Sequence, residues 1–387
     1  MPRKAANVGD YRALARARLP HFLFEYLDGG SYDEVTLRRN VADLQSVALK
    51  QRVLRDVSSL DLSKEMFGKS WSLPVGLGPV GLSGLYARRG EVQAARAAAD
   101  ANVPFALSTL SGCSIREVAE KTGQPFWFQL YIVKDRGFVS DMIARAKRAG
   151  CSALLLTVDL PVAGSRYRDY RAGLSGSMRG PASRAWQVAC RPDWAWDVAV
   201  RGRPMTMGNL ESLLGSGAML SDLMAWVGHN FDATVTWKDI AWVRSQWGGP
   251  LIVKGILDVD DARDAVAHGV DGIVVSNHGG RQLDGVLSSA AALPRIADAV
   301  AGRLPILADG GVRSGLDVVR MLALGADFVL LGRAWAYALA AAGQAGVAHV
   351  LKLIDAEMRV AMALTGCISI DQIDHEILER GGNQPNG

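Results

Sequence analysis

Cysteine is scarce in this chain: the 387 residues include four, Cys113, Cys151, Cys190 and Cys367, far apart and without a CxxC pair. This scarcity argues against a disulfide framework or a zinc site and favours reduced thiols in a cytosolic compartment. The chain also lacks a signal-peptide start and any run of about 18 apolar residues, so no leader or membrane span is expected. The chain has 43 Lys and Arg and 39 Asp and Glu, and a net charge of only +4 does not indicate nucleic-acid binding.

The composition that remains, 49% apolar and 21% charged, is typical of a globular protein with one large barrel or two smaller domains. From residue 73 onward, short apolar strands alternate with amphipathic helices. Eight strands are predicted, at residues 73–77, 104–108, 126–131, 153–158, 251–253, 272–275, 306–308 and 328–331. Fully apolar strands that alternate with helices predict a parallel sheet covered on both faces, and eight units favour closure into a (β/α)8 TIM barrel. A doubly wound open sheet is the alternative, but no GxGxxG follows the first strand.

The pattern predicts a single domain over residues 1–387. It comprises a helical preamble at 1–70, the barrel at 73–335, an insertion after the fourth strand at 160–247, and C-terminal helices and a tail at 336–387. A connection as long as the insertion is usually functional or mobile. Its first part, 160–215, holds eight Arg, no Lys, four acidic residues and three Trp. That composition is typical of a surface resting on lipid headgroups, although a lid or a subunit contact would have a similar one.

Polar or glycine residues follow every predicted strand. In barrels of this kind the active site forms at the C-terminal ends of the strands. The last strand ends and their loops supply Asp309, Gly310, Gly311, Arg313, Gly332 and Arg333. Glycines let backbone N–H groups approach a phosphate and the arginines add charge, so these two loops predict a phosphate site. Tight turns alone would explain the glycines but not both arginines.

The loop at 276–285 follows a buried strand and carries His278 and Arg281. A titratable base beside a bidentate carboxylate binder suits oxidation of a 2-hydroxy acid, whereas a solvated glycine-rich turn is the plain alternative. Asp159, on the same ring of strand ends, would orient the imidazole and stabilise its protonated form. Arg166 could share the carboxylate with Arg281. Tyr26 and Tyr131 would donate phenolic hydrogen bonds.

Lys254 ends an apolar strand and admits two functions. It could form a Schiff base with a carbonyl substrate, or it could be a fixed positive charge beside an electron-accepting ring. The residues alone therefore leave three functions open: a hydroxy acid oxidising enzyme, a Schiff-base barrel with a phosphorylated substrate, and an idle barrel that binds an anion.

Several motifs occur together and in chain order. They are Trp127 to Tyr131 (WFQLY), Leu156 to Asp159 (LTVD), Val253 to Gly255 (VKG), Ser276 to Gly285 (SNHGGRQLDG), Asp309 to Arg313 (DGGVR) and Leu331 to Arg333 (LGR). In this combination the chain resembles the family of FMN-dependent 2-hydroxy acid dehydrogenases and oxidases over nearly its whole length. The segments 86–95 and 255–258 are most similar to the branch of bacterial respiratory, membrane-associated L-lactate dehydrogenases.

The resemblance implies oxidation of L-lactate to pyruvate, with (S)-mandelate or another 2-hydroxy acid as the alternative substrate. It implies that His278 and Asp159 are catalytic, that Lys254 stabilises negative charge on reduced flavin, and that no metal takes part. Tyr26, Tyr131, Arg166 and Arg281 would bind the substrate. The residues expected to contact FMN are Pro79, Val80, Gly81, Ser108, Gln129, Thr157, Lys254, Ser276, Asp309, Gly310, Gly311, Arg313, Gly332 and Arg333.

Two departures bear on the electron acceptor. Many relatives have Thr where this chain has Val80, and oxidase relatives often have Ala in place of Gly81, which favours a dehydrogenase. No haem-binding domain precedes the barrel, so a quinone or similar diffusible acceptor is expected. Residues 160–215 correspond to the segment that docks on membranes, which predicts peripheral attachment at the cytoplasmic face of the inner membrane. Relatives are often tetramers, so a homo-tetramer is expected.

Overall fold

The structure, a computed structural model, describes residues 5–174, 180–202, 208–215, 226 and 228–379; the rest of the insertion and the tail lie outside the described residues.

The preamble contains helices and a hairpin that was not predicted. Three helices open the chain: α1 (Val8–Arg18), α2 (His21–Asp28) and α3 (Val35–Ser46). An antiparallel hairpin follows, with strands β1 (Lys64–Met66) and β2 (Lys69–Trp71), where the sequence pattern predicted helices alone.

Eight parallel strands form the barrel. They are β3 (Val75–Leu77), β4 (Ala106–Ser108), β5 (Trp127–Leu130), β6 (Ala153–Thr157), β7 (Leu251–Ile256), β8 (Gly272–Val275), β9 (Ile306–Ala308) and β10 (Phe328–Leu331). The hydrogen-bonded order runs β3-β10-β9-β8-β7-β6-β5-β4. A bridge between Leu77 and Phe105, with Leu77 N 2.8 Å from Pro104 O, brings the first strand to the second. The closure confirms the predicted (β/α)8 barrel and excludes the open sheet.

Helices follow the barrel strands on the outside. The principal ones are Gly90–Asp100, Ile115–Thr122, Arg136–Arg148, Lys238–Gln246, Val259–Ala267, Ser289–Val300, Gly315–Ala323 and Arg333–Thr365. Ser or Asp side chains cap several of them by accepting a hydrogen bond from a first-turn N–H, as Ser114 and Ser314 do. The described part of the insertion adds short helical segments at Tyr167–Arg171, Gly180–Ala189, Pro192–Trp194, Ala195–Val200, Gly208–Leu210 and Glu211–Leu214.

The last helix, Arg333–Thr365, is long and apolar enough to cross a membrane by length and composition. Its most apolar stretch is half buried inside the fold, and its backbone is non-helical at Ala342 and Gly343. It packs against α1 and the Gly90–Asp100 helix, as expected for a core helix of a folded domain.

The barrel interior is filled at one end only. Trp127, Phe328 and seven smaller apolar side chains occupy it, joined by Met66 and Trp71 from the hairpin. The Trp127 ring makes edge contacts with Phe67 and Trp71 at centroid distances of 5.9 and 6.4 Å. The hairpin therefore closes the N-terminal end of the barrel with apolar side chains. The polar strand ends are left at the opposite end.

Candidate functional site

A cavity of about 340 Å³ opens at the C-terminal ends of the strands. Most of the residues predicted for the site line it: Tyr26, Pro79, Val80, Gly81, Ser108, Tyr131, Thr157, Arg166, Lys254, His278, Arg281, Asp309, Gly310, Gly311, Arg313, Gly332 and Arg333. The other three, Gln129, Asp159 and Ser276, contact residues of this set from behind. The structure thus brings together side chains that are up to 307 positions apart in sequence.

His278 is held in place by two hydrogen bonds. Its Nδ1 lies 2.9 Å from Asp159 Oδ1, and its backbone N–H donates to Ser276 Oγ at 3.0 Å. The residue adopts the left-handed conformation, with φ of 56°, which is rare for a residue other than glycine. Because Asp159 engages Nδ1, Nε2 is the ring nitrogen left for the cavity that His278 lines.

The charge states of this pair suit general-base chemistry. Burial lowers the pKa of His278 below its ordinary value, against the opposing effect of Asp159. Burial alone would raise the pKa of Asp159, but the charge and hydrogen bond of His278, together with the charge of Lys254, hold it below its ordinary value. At neutral pH a neutral imidazole therefore faces a carboxylate, which orients the ring and would stabilise it once protonated.

Lys254 lies at the centre of the polar ring. Its Nζ donates to Ser276 Oγ at 2.9 Å and pairs with Asp309 Oδ2 at 3.0 Å. Burial would lower the pKa of Lys254, but the charges of Asp309 and Asp159 raise it above its ordinary value. A Schiff-base lysine needs a neutral amine, so this ammonium argues against the Schiff-base function and fits a fixed positive charge.

Two guanidinium groups share one aromatic ring on the wall of the cavity. Arg281 Cζ lies 4.9 Å and Arg166 Cζ 5.6 Å from the centroid of Tyr26. Arg281 Nη1 is fixed by the backbone carbonyl groups of Tyr26 and Gly29, at 2.7 Å each. Burial and the charge of Arg166 lower the pKa of Arg281, so the site favours an added negative charge. A substrate carboxylate would supply it.

Three residues of this wall were missed by the sequence analysis: Tyr86, Asp169 and Phe231, all of which line the cavity. Asp169 faces Arg166 at 3.5 Å, and burial raises its pKa. The Phe231 ring packs on Tyr131 at a centroid distance of 5.0 Å. A signal existed for Tyr86, which lies in the segment 86–95 that carries the resemblance. Phe231 lies within the insertion at 160–247, where no periodic pattern marks it.

Several buried polar atoms face no partner among the described residues, and they test whether FMN fits. They are Gln129 Nε2, Thr157 Oγ1 and Asp309 Oδ1. Unpaired buried polar atoms cost free energy, so a polar ligand beside them is expected. The polar edge of a flavin ring can donate and accept hydrogen bonds there. Ser108 Oγ fixes the Gln129 amide by donating to its Oε1 at 3.1 Å.

The glycines of the predicted phosphate site fit the same group. Gly310 and Gly311 have φ values of 99° and 87°, and a Cβ on Gly311 would lie 2.0 Å from the backbone oxygen of Asn40. A Cβ on Gly332 would meet no described protein atom within 4 Å, so this glycine borders open space. The residues present therefore fit FMN, with its phosphate beside the glycines.

Arg333 was expected at the phosphate, but its N–H groups donate to backbone carbonyl groups. Its Nε, Nη1 and Nη2 donate to the carbonyl groups of Leu27, Gly279 and Gly29, at 3.1, 2.9 and 2.7 Å. Burial lowers its pKa to about 9. Arg333 thus ties the end of α2 to the loop of His278 while it lines the cavity. Arg313 donates from Nη1 to Val312 O and is the less constrained of the two arginines.

The comparisons with known proteins agree with this geometry. The family model described as FMN-dependent dehydrogenase matches residues 15–380. The chain is 62% identical over 369 residues to an L-lactate dehydrogenase of Ectopseudomonas mendocina (strain ymp), covering 95% of this chain and 97% of that protein. It is 62% identical over 371 residues to an L-lactate dehydrogenase of Xanthomonas oryzae pv. oryzae (strain PXO99A), covering 96% and 95%.

Solved structures give the same family. The structure described as the monotopic membrane protein (S)-mandelate dehydrogenase matches with a TM-score of 0.90 and 37% identity, covering 97% of this chain and 100% of that one. A mandelate oxidase with (S)-4-hydroxymandelic acid matches with a TM-score of 0.84 and 38% identity, covering 97% and 98%. The extent of these matches, and a cavity whose residues fit FMN, place the chain in the family of FMN-dependent dehydrogenases.

Proposed function

We propose that this enzyme uses FMN to oxidise L-lactate to pyruvate. The observation that carries the proposal is the presence, in one cavity, of a neutral imidazole held by a carboxylate and of two partly buried guanidinium groups over one ring. A base and a carboxylate binder in one cavity suit a small 2-hydroxy acid. The relatives at 62% identity, which are named L-lactate dehydrogenase, support the choice of substrate.

Each residue has a distinct task in the proposed reaction. Arg281 and Arg166 hold the substrate carboxylate, while Tyr26 and Tyr131 donate hydrogen bonds to the substrate oxygens. Burial raises the pKa of Tyr131, so its phenol stays protonated and able to donate. His278 takes the hydroxyl proton at Nε2, and Asp159 stabilises the resulting imidazolium. FMN, when bound, would supply the oxidant for the reaction, an acceptor for two electrons and for the hydrogen that leaves the substrate Cα.

The proposed cofactor contacts follow the cavity wall. Gln129, Thr157, Ser108 and Lys254 would hold the polar edge of the flavin ring. Residues 79–81 would line one of its faces. Asp309, Gly310, Gly311, Arg313, Gly332 and Arg333 would surround the phosphate, and Ser276 would support the site by fixing Lys254 and the backbone of His278.

Anaerobic stopped-flow absorbance tests the chemical assignment. Mixing the FMN-loaded enzyme with L-lactate is expected to bleach the flavin in one fast phase, and His278→Gln to slow that phase by at least about 100-fold. Bleaching of His278→Gln at the wild-type rate would contradict the role of His278.

(S)-Mandelate is the second candidate substrate, because the solved structure with a TM-score of 0.90 is a mandelate dehydrogenase. The choice rests on kcat/KM for the two acids, measured side by side with one artificial electron acceptor. A higher kcat/KM for L-lactate is expected. The reverse order would assign the enzyme to aromatic hydroxy acids and leave the chemistry unchanged.

The electron acceptor and the membrane belong to the same proposal. We infer that the electrons are transferred to a quinone and that the protein is attached peripherally to the cytoplasmic face of the inner membrane. Trp186, Trp196 and Val200 of the insertion are 72%, 60% and 52% exposed, which is unusual for large apolar side chains and suits an interfacial surface.

Sedimentation with lipid vesicles tests this attachment. The double variant Trp186→Ser/Trp196→Ser is expected to lose vesicle binding while flavin reduction by L-lactate stays unchanged. The matched control is Val53→Ser/Leu54→Ser, which removes from the preamble two apolar side chains at least as exposed as the two Trp residues. Equal binding by both double variants would contradict the assigned surface. Anaerobic reoxidation by a soluble quinone, compared with air, tests the acceptor.

We further propose that residues 1–387 act as one domain and assemble into a homo-tetramer. Light scattering during gel filtration of the detergent-solubilised enzyme measures the mass directly, and a monomer mass would contradict the assembly.

A further inference from the structure

The loop that carries the catalytic base is clamped by a helix of the preamble. We define the base loop as residues 276–287 and the phosphate loop as residues 309–313. Helix α3 receives its N-terminal cap from the base loop, because Val35 N and Thr36 N donate to the Asp284 carboxylate at 3.1 and 2.7 Å. Ser31 N, just before the helix, donates to Gly280 O at 2.9 Å.

One residue of α3, Asn40, forms a reciprocal amide pair with the base loop. Asn40 Nδ2 donates to Asn277 Oδ1 at 2.8 Å, and Asn277 Nδ2 donates to Asn40 Oδ1 at 2.7 Å. Asn277, the neighbour of His278, also accepts from Gly280 N at 3.0 Å and donates to Leu287 O at 3.0 Å. Both amides are buried, at 1% and 6% exposure, so water cannot replace the lost bonds cheaply.

Asn40 also touches the phosphate loop. Its backbone oxygen is so close to Gly311 that a Cβ there would lie 2.0 Å away, and a Cβ on Gly310 would lie 3.5 Å from the Asn40 amide. Ser289 N, just beyond the base loop, donates to Asn40 Oδ1 at 3.3 Å. A single buried residue thus binds the base loop through its side-chain amide and lies against the phosphate loop mainly through its backbone.

We propose that Asn40 is a positioning residue that fixes the base loop through Asn277 and couples its placement to the phosphate loop. The need for it comes from His278, whose backbone has a φ of 56°. A residue in that conformation stays there only when its surroundings determine it, and the Asn277 amide fixes the turn on both sides of His278. This inference rests on the assignment of His278 as the base in the proposed function.

The test compares Asn40→Ala with the wild type by anaerobic stopped-flow reduction with L-lactate, expressed per bound flavin. The limiting rate is expected to fall about 10- to 100-fold, because a small displacement of a catalytic group costs that much. The FMN dissociation constant, measured by fluorescence titration without substrate, is expected to rise roughly three- to tenfold through the phosphate loop. A limiting rate within about twofold of the wild type would overturn the proposal.

Leu44→Ala is the matched structural control. Leu44 lies fully buried one turn further along α3 but has no hydrogen bond to either loop through its side chain. It is expected to lower the unfolding midpoint and leave both readouts near the wild-type values. Equal losses in Leu44→Ala and Asn40→Ala would reduce the role of Asn40 to general stability and overturn the proposal.

A double-mutant cycle tests whether Asn40 acts through Asn277. The combined variant Asn40→Ala/Asn277→Ala is expected to be no slower than Asn277→Ala alone, whereas multiplied losses would overturn the proposed route. If Asn40→Ala does not fold, Asn40→Leu, which keeps nearly the same size and removes the amide's donors and acceptor without adding charge, decides in the same assays. His278→Gln at the wild-type rate would instead refute the base assignment, whatever the result at Asn40.

Discussion

Replacing Asp159 by Asn tests the electrostatic core of the site. The substitution keeps the size of the side chain and removes its charge. In the wild type the carboxylate holds His278 Nδ1 at 2.9 Å, and its second oxygen, Oδ2, has no partner among the described residues. Nothing described there would fix which way an amide faces. The amide oxygen can accept from Nδ1–H, or the amide nitrogen can donate to Nδ1.

The two orientations of the new amide predict different losses in the rate of flavin reduction. With the oxygen towards the ring, the loss is that of one charge-assisted hydrogen bond, about 1.5–3 kcal/mol, or roughly 10- to 150-fold in rate. With the nitrogen towards the ring, the proton moves to Nε2, and the loss can approach about 10⁴-fold, as for the wrong tautomer in a serine protease. We therefore expect Asp159→Asn to reduce flavin at least about 10-fold more slowly at saturating L-lactate.

The assay is anaerobic stopped-flow reduction over a range of L-lactate concentrations and pH. Because Asp159 raises the pKa of His278 against burial, its removal should shift the acid limb of the rate to lower pH. The apparent lactate dissociation constant should change little, because Asp159 lies behind the cavity wall. Asp232→Asn is the matched control, since it removes the charge from a partly buried pair with Arg136 at 2.8 Å that does not include the imidazole. An unchanged limiting rate in Asp159→Asn would refute the reasoning.

Three further predictions concern the substrate, the cofactor and stability. Arg281→Lys should raise the lactate dissociation constant by at least about 10-fold in the same titration, because Lys lacks the planar fork; unaltered binding would contradict the carboxylate role. Gly332→Ala should weaken FMN binding roughly 10-fold by fluorescence titration. The urea midpoint of the FMN-free protein should not change, because the new methyl group meets no described protein atom within 4 Å. Asp28→Asn should lower the free energy of unfolding by about 3–5 kcal/mol at neutral pH, because burial would raise the pKa of this carboxyl but Arg12, Tyr337 and Arg168 hold it well below its usual range. The stability that the ionised Asp28 contributes is fully present above the ordinary Asp pKa and is lost as pH falls through the lowered pKa of the folded protein. The urea curves of the wild type and Asp28→Asn should therefore converge in acid and not in base.

The barrel could be predicted because its signal is local. Each strand is a short apolar run bounded by polar residues, and burial on both faces follows from the run itself. The ends of parallel strands meet at one edge, so the polar residues that follow the runs were expected to converge. The cavity contains them. The hairpin escaped prediction because its strands, KEM and KSW, are mostly polar and lack the apolar run that marks the barrel strands.

The partners of polar side chains could not be predicted from local pattern. Asn40 reads as the solvated face of a helix, and its buried partner lies 237 positions away. Arg333 reads as a phosphate ligand, yet three backbone carbonyl groups occupy its N–H groups. A side chain's type tells which groups it can bind, whereas its partner depends on packing between distant segments.

The charged groups around the cavity favour the binding of anions. Lys254 is buried and Arg166, Arg281 and Arg333 are partly buried around it, and the carboxylates of the site are Asp159, Asp169 and Asp309. Burial raises the pKa of Asp169. Burial also lowers the pKa of Arg281 and Arg333, and neighbouring positive charges, Arg166 on Arg281 and Arg281 on Arg333, lower it further, so uncompensated positive charge is costly in this cavity. A phosphate at the glycine loops and a carboxylate at the arginines would each remove part of that cost. In the proposed function, burial of these positive charges would therefore favour the binding of two anions, and burial also lowers the pKa of His278, which would keep the imidazole neutral and able to take a proton.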